Sequence, residues 1–291
     1  MTGGPRLLRV LATGPSSTVQ DAGRRGWLSS GVGRSGAADL ASYALANRLV
    51  ANPEGAAAVE SVLGGLSVQA TSTTTVAVTG APAPVQVDGR TAAHHSVLTL
   101  RPGQRLTLGM ASVGLRTYLA VRGGIAVEPV LGSRSTDTLS GIGPAPLAAG
   151  DELPIGEPPP EWPVLDCAPL APLTDAPVVV RARLGPRHDW FTEPARLFEG
   201  GWVVSSQTDR VGARLDRLRG SPGLTRRDDR ELPSEGMPSG AVQVPPSGQP
   251  VVFLADHPIT GGYPVVATVL GSDLSALGQA RPGQVVIFRP G

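Results

Sequence analysis

Residues 14–39, GPSSTVQDAGRRGWLSSGVGRSGAAD, hold two acids, three arginines and six serines or threonines between glycines. Packing alone seldom calls for that mixture. Glycine lets the backbone adopt positive φ and lets a ligand approach closely, and the forks of Arg24, Arg25 and Arg34 match carboxylate or phosphate oxygens. The same residues also admit a solvated loop in which Asp21 and Arg24 hold a turn, and residue chemistry alone leaves both readings open. Two sets of candidate residues emerge. The first joins Asp21, Arg24, Ser35, Gly36 and Asp39 to Gly132-Ser133-Arg134-Ser135-Thr136. The second joins Asp209, Arg210 and Arg214 to Pro233-Ser234-Glu235-Gly236 and Thr260-Gly261-Gly262-Tyr263. Arginine with hydroxyls and free backbone N–H groups suits a small planar anion or a phosphate. In an enzyme, Arg24, Arg134 or Arg210 would hold a substrate carboxylate or phosphate, and Asp21, Asp39, Asp209 or Glu235 would act as base or metal contact. Ser35, Gly36, Ser133, Ser135, Thr136, Ser234, Gly261, Gly262 and Tyr263 would contact substrate. In a binding module the same residues would only stabilise loops, and the Ser133–Thr136 run would be an ordinary turn.

Other chemistries lack their residues. All 25 basic residues are arginine, which removes Schiff-base, phosphate-loop and biotin- or lipoate-carrying lysines. His94, His95, His188 and His257 show no metal-ligand spacing, and Cys167, the single cysteine, excludes an internal disulfide. No G-x-S-x-G elbow occurs. Gly31-Val-Gly33-Arg-Ser-Gly36 has phosphate-loop spacing but no buried strand before it. A net charge of +1 gives no field for nucleic acid or anionic membrane. No apolar run approaches the roughly 20 residues of a membrane span, and MTGGPRLLRVLATG has no signal-peptide core. A soluble, cytoplasmic protein is expected.

The elements that must position these loops are mostly strands. Glycine and proline approach a quarter of the chain, yet 41% of residues are hydrophobic and fall in regular short runs, which argues for a turn-rich β protein over disorder. Residues 7–11, 75–79, 84–87, 96–100, 105–108 and 116–122 read as strands, with an Asp88-Gly89 hairpin turn. After a proline-rich linker at 157–177 come strands at 178–184, 202–205, 241–244, 251–254, 265–270 and 285–288, with a charged, exposed loop at 217–233. Leu40, Ala41, Ala44, Leu45 and Leu49 recur at helical spacing and predict one principal helix near 37–51, with Asp39 in its first turn. Asn52-Pro53-Glu54 predicts a second short helix towards Val62. Glu60 reads as a satisfied partner, and Trp190, Phe191 and Trp202 as core or domain-interface aromatics.

The two halves repeat. Ser16-Ser17, Asp21 and Arg24 are echoed by Ser205-Ser206, Asp209 and Arg214, and Ser35-Gly-Ala37 by Ser239-Gly-Ala241. Leu119-Ala120, Gly123-Gly124 and Val130–Ser133 recur in order as Leu254-Ala255, Gly261-Gly262 and Val269–Ser272, and Arg101-Pro-Gly-Gln104 returns at 281–284. Ordered recurrence implies two related β-rich domains, read as barrels, joined near 157–177.

At these residues a family resemblance becomes specific. TVQDAGRRG (18–26), SGAAD (35–39), LAVRGG (119–124), LGSRST (131–136), DRVGARL (209–215), PSEG (233–236), GAVQVP (240–245), TGGYP (260–264) and ARPGQ (280–284) resemble the biotin-dependent carboxyltransferase family. One of its branches holds the C subunit of 5-oxoprolinase, formerly labelled allophanate hydrolase subunit 2. The resemblance implies two tandem cyclophilin-like β-barrel domains at 1–156 and 178–291, without a covalently bound cofactor. It implies a companion B subunit and, in the oxoprolinase branch, an amidohydrolase-like A subunit, which together open 5-oxoproline to glutamate with ATP. In the urea branch, biotin visits as a carrier and carboxyl passes to a small amide. Some relatives instead antagonise an inhibitor of a sensor kinase. A free-standing chain without a carrier lysine fits the oxoprolinase branch. Gly33-Arg34 stands where members often carry proline, and Val265 stands where a lysine is common.

Overall fold

A computed structural model describes residues 5–171, 173–228 and 230–291. The other residues, including Asp229 of the charged loop, lie outside the described part. The chain forms two compact units, one of residues 1–24 and 39–174, the other of residues 25–38 and 175–291. The opening stretch, read from sequence as part of the N-terminal domain throughout, is therefore divided, and residues 25–38 group with the C-terminal half.

In the first unit, strands β1 (Leu7–Thr13), β2 (Ser16–Gln20), β3 (Ala58–Val62), β4 (Leu66–Ala70), β5 (Thr74–Gly80), β6 (Val85–Val87), β7 (Arg90–Ala92), β8 (Val97–Leu100), β9 (Arg105–Leu108), β10 (Arg116–Val121) and β11 (Glu152–Pro154) form two sheets. Their orders are β11-β1-β4-β9-β6-β7 and β2-β3-β10-β5-β8. Both contribute alternate residues to one core, including Leu8, Val10, Val59, Val68, Val78, Leu106, Leu119 and Val121. Alternation puts Tyr118 and Ala120 of β10 on the other face, where helix α1 (Leu40–Leu49) packs on β5 and β10. Every residue of β10 is consequently buried.

The second unit closes on itself. Strands β12 (Val178–Leu184), β13 (Trp202–Val204), β14 (Gly212–Arg217), β16 (Ala241–Gln243), β17 (Val251–Phe253), β19 (Val265–Val269) and β20 (Val285–Pro290) form a barrel in the order β12-β19-β16-β17-β14-β13-β20. The parallel pairing of β12 with β20 seals it. Val180, Trp202, Leu215, Val252, Val266 and Phe288 fill it with Trp190 and Phe191, so all three aromatics are core residues. A separate ribbon pairs β15 (Glu235–Gly236) with β18 (Thr260–Gly261), and a short helix α2 (Leu274–Gly278) precedes β20. The mainly β architecture with one principal helix is the one the sequence pattern and the resemblance imply.

Two local expectations are corrected. No helix follows Asn52. Residues 58–62 are a strand, between β2 and β10. The Asn52 side chain does not cap a helix but donates to Asn47 Oδ1 at 2.9 Å and the Val121 carbonyl at 2.7 Å, and accepts from Gly123 N at 2.8 Å. Asp39 lies just before helix α1 as its cap, accepting from Ser42 N at 3.0 Å. Residues 157–174 group with the first unit. Arg122 donates to the Pro159 carbonyl at 2.5 Å and stacks over Trp162, and residues 166–168 bond backbone to backbone with His95 and Val97. Among the described residues no helix is long and apolar enough to cross a membrane.

The repeat has a structural counterpart. Gln104 N donates to the Arg101 carbonyl and Gln284 N to the Arg281 carbonyl, each at 3.0 Å. In both turns the glutamine side chain accepts from the arginine N–H, at 2.9 and 3.2 Å, and the glycine has a φ near that of its counterpart, 82° and 87°.

Candidate functional site

Asp21 follows β2 and is 6% exposed. Its Oδ1 accepts from Gly23 N at 2.8 Å, Ser133 Oγ at 2.7 Å and Ser135 Oγ at 2.6 Å, and its Oδ2 from Arg134 N at 2.6 Å. Asp21 N in turn donates to Ser135 Oγ at 2.9 Å. A carboxylate so surrounded by donors is a fastener, and it draws the 133–135 loop onto the end of β2. Arg24, 2% exposed, donates to the carbonyls of Ser135 and Ile142. Arg134 donates through Nε to the Val127 carbonyl at 2.6 Å, and Thr136 N bonds to the Val19 carbonyl at 2.9 Å. Asp21, Arg24, Ser133, Arg134, Ser135 and Thr136 thus come together, as the sequence grouping expected, in an arrangement whose hydrogen bonds run chiefly to one another and to backbone.

Asp39 stands elsewhere in that unit. Its N–H donates to the Tyr118 hydroxyl at 2.8 Å, and that hydroxyl donates to Glu60 at 2.7 Å. Glu60 also pairs with the buried Arg116 at 3.4 Å. Burial, then the charges of Glu60 and Asp39, push the Tyr118 phenol well above its ordinary range. Burial and the Asp21 charge do the same to Tyr43. Both phenols therefore stay protonated as donors.

Ser35 and Gly36, grouped from sequence with Asp21, are found in the other unit with Arg210. Ser35 Oγ donates to Asp256 Oδ1 at 2.7 Å. Arg210 grips Asp256 with two bonds, at 2.8 and 2.9 Å, and donates to the Gly36 carbonyl at 2.6 Å. Asp256 is 2% exposed and Arg210 6%, so this bidentate pair is desolvated and directional. Ser35 has φ 51°, a left-handed conformation that costs a non-glycine residue about 1–2 kcal/mol and is tolerated where the surroundings fix it. Beside it, partial burial and then the charge of Arg25 hold Arg34 below the ordinary arginine range. Arg25 and Arg34 thus stand within electrostatic reach of each other on glycine-rich backbone.

The remaining candidates fall into smaller groups. The Asp209 carboxylate accepts from Val211 N at 2.8 Å and Gly212 N at 3.1 Å, repeating at an exposed position the bond that Asp21 makes to Gly23 N. Glu235 sits in the ribbon opposite Gly261 and is gripped by Arg187, whose Nε lies 3.0 and 3.1 Å from its two oxygens. That hydrogen bonding holds its carboxyl below the usual range. Gly262 and Tyr263 continue from the ribbon. Tyr263 is 46% exposed and its carbonyl accepts from Gln243 at 3.1 Å. Ser234 and Arg214 are exposed. Asp256, the acid that organises Ser35 and Arg210, escaped the sequence reading, and His257, weighed there only as a metal ligand, has its Nε2 3.0 Å from Ser239 Oγ. The one signal for them was the Ser-Gly-Ala repeat. Among the described residues no group of three or more His, Cys, Asp or Glu is placed to hold a metal ion.

Comparison with known proteins gives a consistent family. The carboxyltransferase domain, subdomains A and B, matches residues 30–290. The chain is 38% identical over 287 residues to the C subunit of 5-oxoprolinase from Escherichia coli K12, covering 97% of this chain and 90% of that protein. The crystal structure of TTHA0988 superposes with a TM-score of 0.87 at 37% identity, over 98% of this chain and 55% of that one. The urea amidolyase of K. lactis superposes with a TM-score of 0.89 at 28% identity, over 98% of this chain and 19% of that one. The chain thus spans about half of TTHA0988 and a fifth of the urea amidolyase.

Proposed function

Because this chain belongs to the carboxyltransferase domain family, subdomains A and B, we propose that it is one component of an ATP-dependent 5-oxoprolinase-type complex that opens 5-oxoproline to glutamate. The observation that carries this reading is the near end-to-end match to a 5-oxoprolinase C subunit, over 97% of this chain and 90% of that one. Its partners are a B-subunit homologue and an amidohydrolase-like A subunit, and it works only with them, in the cytoplasm. The competing reading is a carboxyltransferase component, visited by carrier-borne biotin and acting on urea or a similar amide. What supports it is the urea amidolyase similarity, confined to a fifth of that chain.

The chemistry asks for charge stabilisation. A lactam carbonyl is a poor electrophile, and ATP supplies activation by phosphorylating its oxygen. Phosphoryl transfer depends on positioning and electrostatics more than on a protein nucleophile. In this chain Arg25 and Arg34 would hold anionic oxygens of substrate or nucleotide. The Arg210–Asp256 pair would fix the Ser35-Gly36 backbone between them and the barrel.

The test is ATP-dependent glutamate release by the chain co-expressed with homologues of the A and B subunits. Arg34→Ala should lower turnover by roughly two orders of magnitude, the scale of losing one preorganised charge-stabilising donor. Arg101→Ala, in the repeated turn, should leave it nearly intact. Full activity of the lone chain, or equal effects of the two substitutions, would contradict the proposal. Urea-dependent carboxyl transfer in place of glutamate release would select the competing reading.

A further inference from the structure

Two serines at matching places of the internal repeat end on adjacent residues. Ser35, of Ser35-Gly36-Ala37, donates to Asp256, and Ser239, of Ser239-Gly240-Ala241, reaches His257. The first contact is locked by Arg210. The second has its hydroxyl on an exposed residue, while the imidazole belongs to a residue only 6% exposed.

Geometry settles the tautomer. His257 Nδ1 lies 2.8 Å from the Pro258 carbonyl, which can only accept, so the neutral ring carries its proton on Nδ1. Nε2 then presents its lone pair to Ser239 Oγ, 3.0 Å away, and the hydroxyl donates to it. Phe253 stacks on the imidazole at 5.7 Å with 11° between planes and holds its orientation. Ser239 is held as well. It occupies the corner of a turn closed by Ala241 N on the Pro238 carbonyl at 3.1 Å. Gly240 follows with φ 82°, where a Cβ would come within 2.8 Å of the Val269 carbonyl. That turn admits only glycine after the serine.

A hydroxyl donating to an imidazole whose other nitrogen is oriented by a third group is the arrangement that activates a serine. We propose that Ser239 is a nucleophile with His257 as its base, and that it forms a covalent ester with small activated acyl compounds. Ser239 Oγ bonds to the acyl carbon as the bond to the leaving group breaks. The hydroxyl proton passes to His257 Nε2 and from there to the leaving group. Water then cleaves the ester by the same route and restores the serine. A backbone carbonyl behind Nδ1 stabilises the imidazolium less than a carboxylate would, so the reaction is slow and covalent labelling is the sensitive readout. This activity does not rest on the oxoprolinase reading.

The experiment treats the full chain with a fluorophosphonate probe and maps the adduct by mass spectrometry. Ser239 Oγ displaces fluoride from phosphorus, and the proton leaves through His257. The expected result is one label per chain on Ser239, none in Ser239→Ala, and labelling at least about tenfold slower in His257→Gln. Melting curves of both variants check that the fold is kept. No label on the wild-type chain, label on another residue, or an unchanged rate in a folded His257→Gln would each overturn the proposal.

Discussion

Replacing Asp21 by alanine removes the acceptor of four hydrogen bonds in one place, two from backbone N–H groups and two from buried hydroxyls. A hydrogen bond to a charged group is worth about 1.5–3 kcal/mol net. The four are not additive, because Ser133 and Ser135 can rotate their hydroxyls towards other acceptors, whereas Gly23 N and Arg134 N cannot turn away. A loss of about 3–5 kcal/mol follows, in the range for breaking a buried polar network. For a unit of some 150–250 residues each kcal/mol lowers Tm by about 2–4 °C, so Asp21→Ala should melt about 10 °C below wild type. Asp209→Ala provides the contrast. It removes two turn bonds at an exposed residue and should cost under about 1 kcal/mol. Thermal unfolding followed by circular dichroism reads both variants. An Asp21→Ala protein melting within about 2 °C of wild type, or Asp209→Ala falling as far, would refute the view that Asp21 fastens the 133–135 loop.

Two pH responses follow from the electrostatics. The Arg187 hydrogen bond depresses the Glu235 carboxyl, so its contribution is complete above the ordinary carboxylate range near 4 and is lost as pH falls through the depressed value. Exchange of the Met237 amide, bonded across the ribbon to the Ile259 carbonyl, should accelerate in that acid window, and Glu235→Gln should exchange fast at every pH. His94 is pushed down to about 4, by burial and then by the His95 charge. The unfolded chain therefore binds the proton first. Stability should fall as pH drops from 6.5 towards 4, and His94→Asn should flatten that slope in denaturant titrations, whereas an unchanged slope would assign it to other groups.

The fold was legible where one pattern dominated its surroundings. The helical period of Leu40, Ala44 and Leu49 gave the helix but not its buried face, which is made by Tyr43, Ala46, Asn47 and Leu49 while Leu40 is exposed. Residues 52–62 misled because Asn52-Pro53-Glu54 has the composition of a helix start, while the following AAAVESV has no period to contradict it. The strand there is set by its neighbours: β2 and β10 pair with its two edges, Val59 enters the core, and every residue of 58–61 is buried. Tertiary pairing overrode local preference. Likewise, nothing near Ser35 in the sequence reports an acid 221 residues away.

What the sequence did hold was the repeat, and its physical content is narrower than its letters. Backbone geometry is what the two halves share. Asp21 and Asp209 each accept from the N–H two residues on, and the two Arg-Pro-Gly-Gln turns close alike. Side-chain partners have diverged. The loop at 131–136 reads LGSRST and supplies Asp21 with two hydroxyls, whereas the matching stretch reads LGSD, and its Asp273 bonds Arg181 instead. The two Ser-Gly-Ala segments keep the serine, yet one hydroxyl is bound to Asp256 under the grip of Arg210 while the other faces a lone pair on His257. A motif repeated for the turn it makes leaves its polar side chain free to change partners. Chemistry can therefore arise in one copy while the other remains a fastener, and for that reason matching letters located these loops without revealing what each of them does.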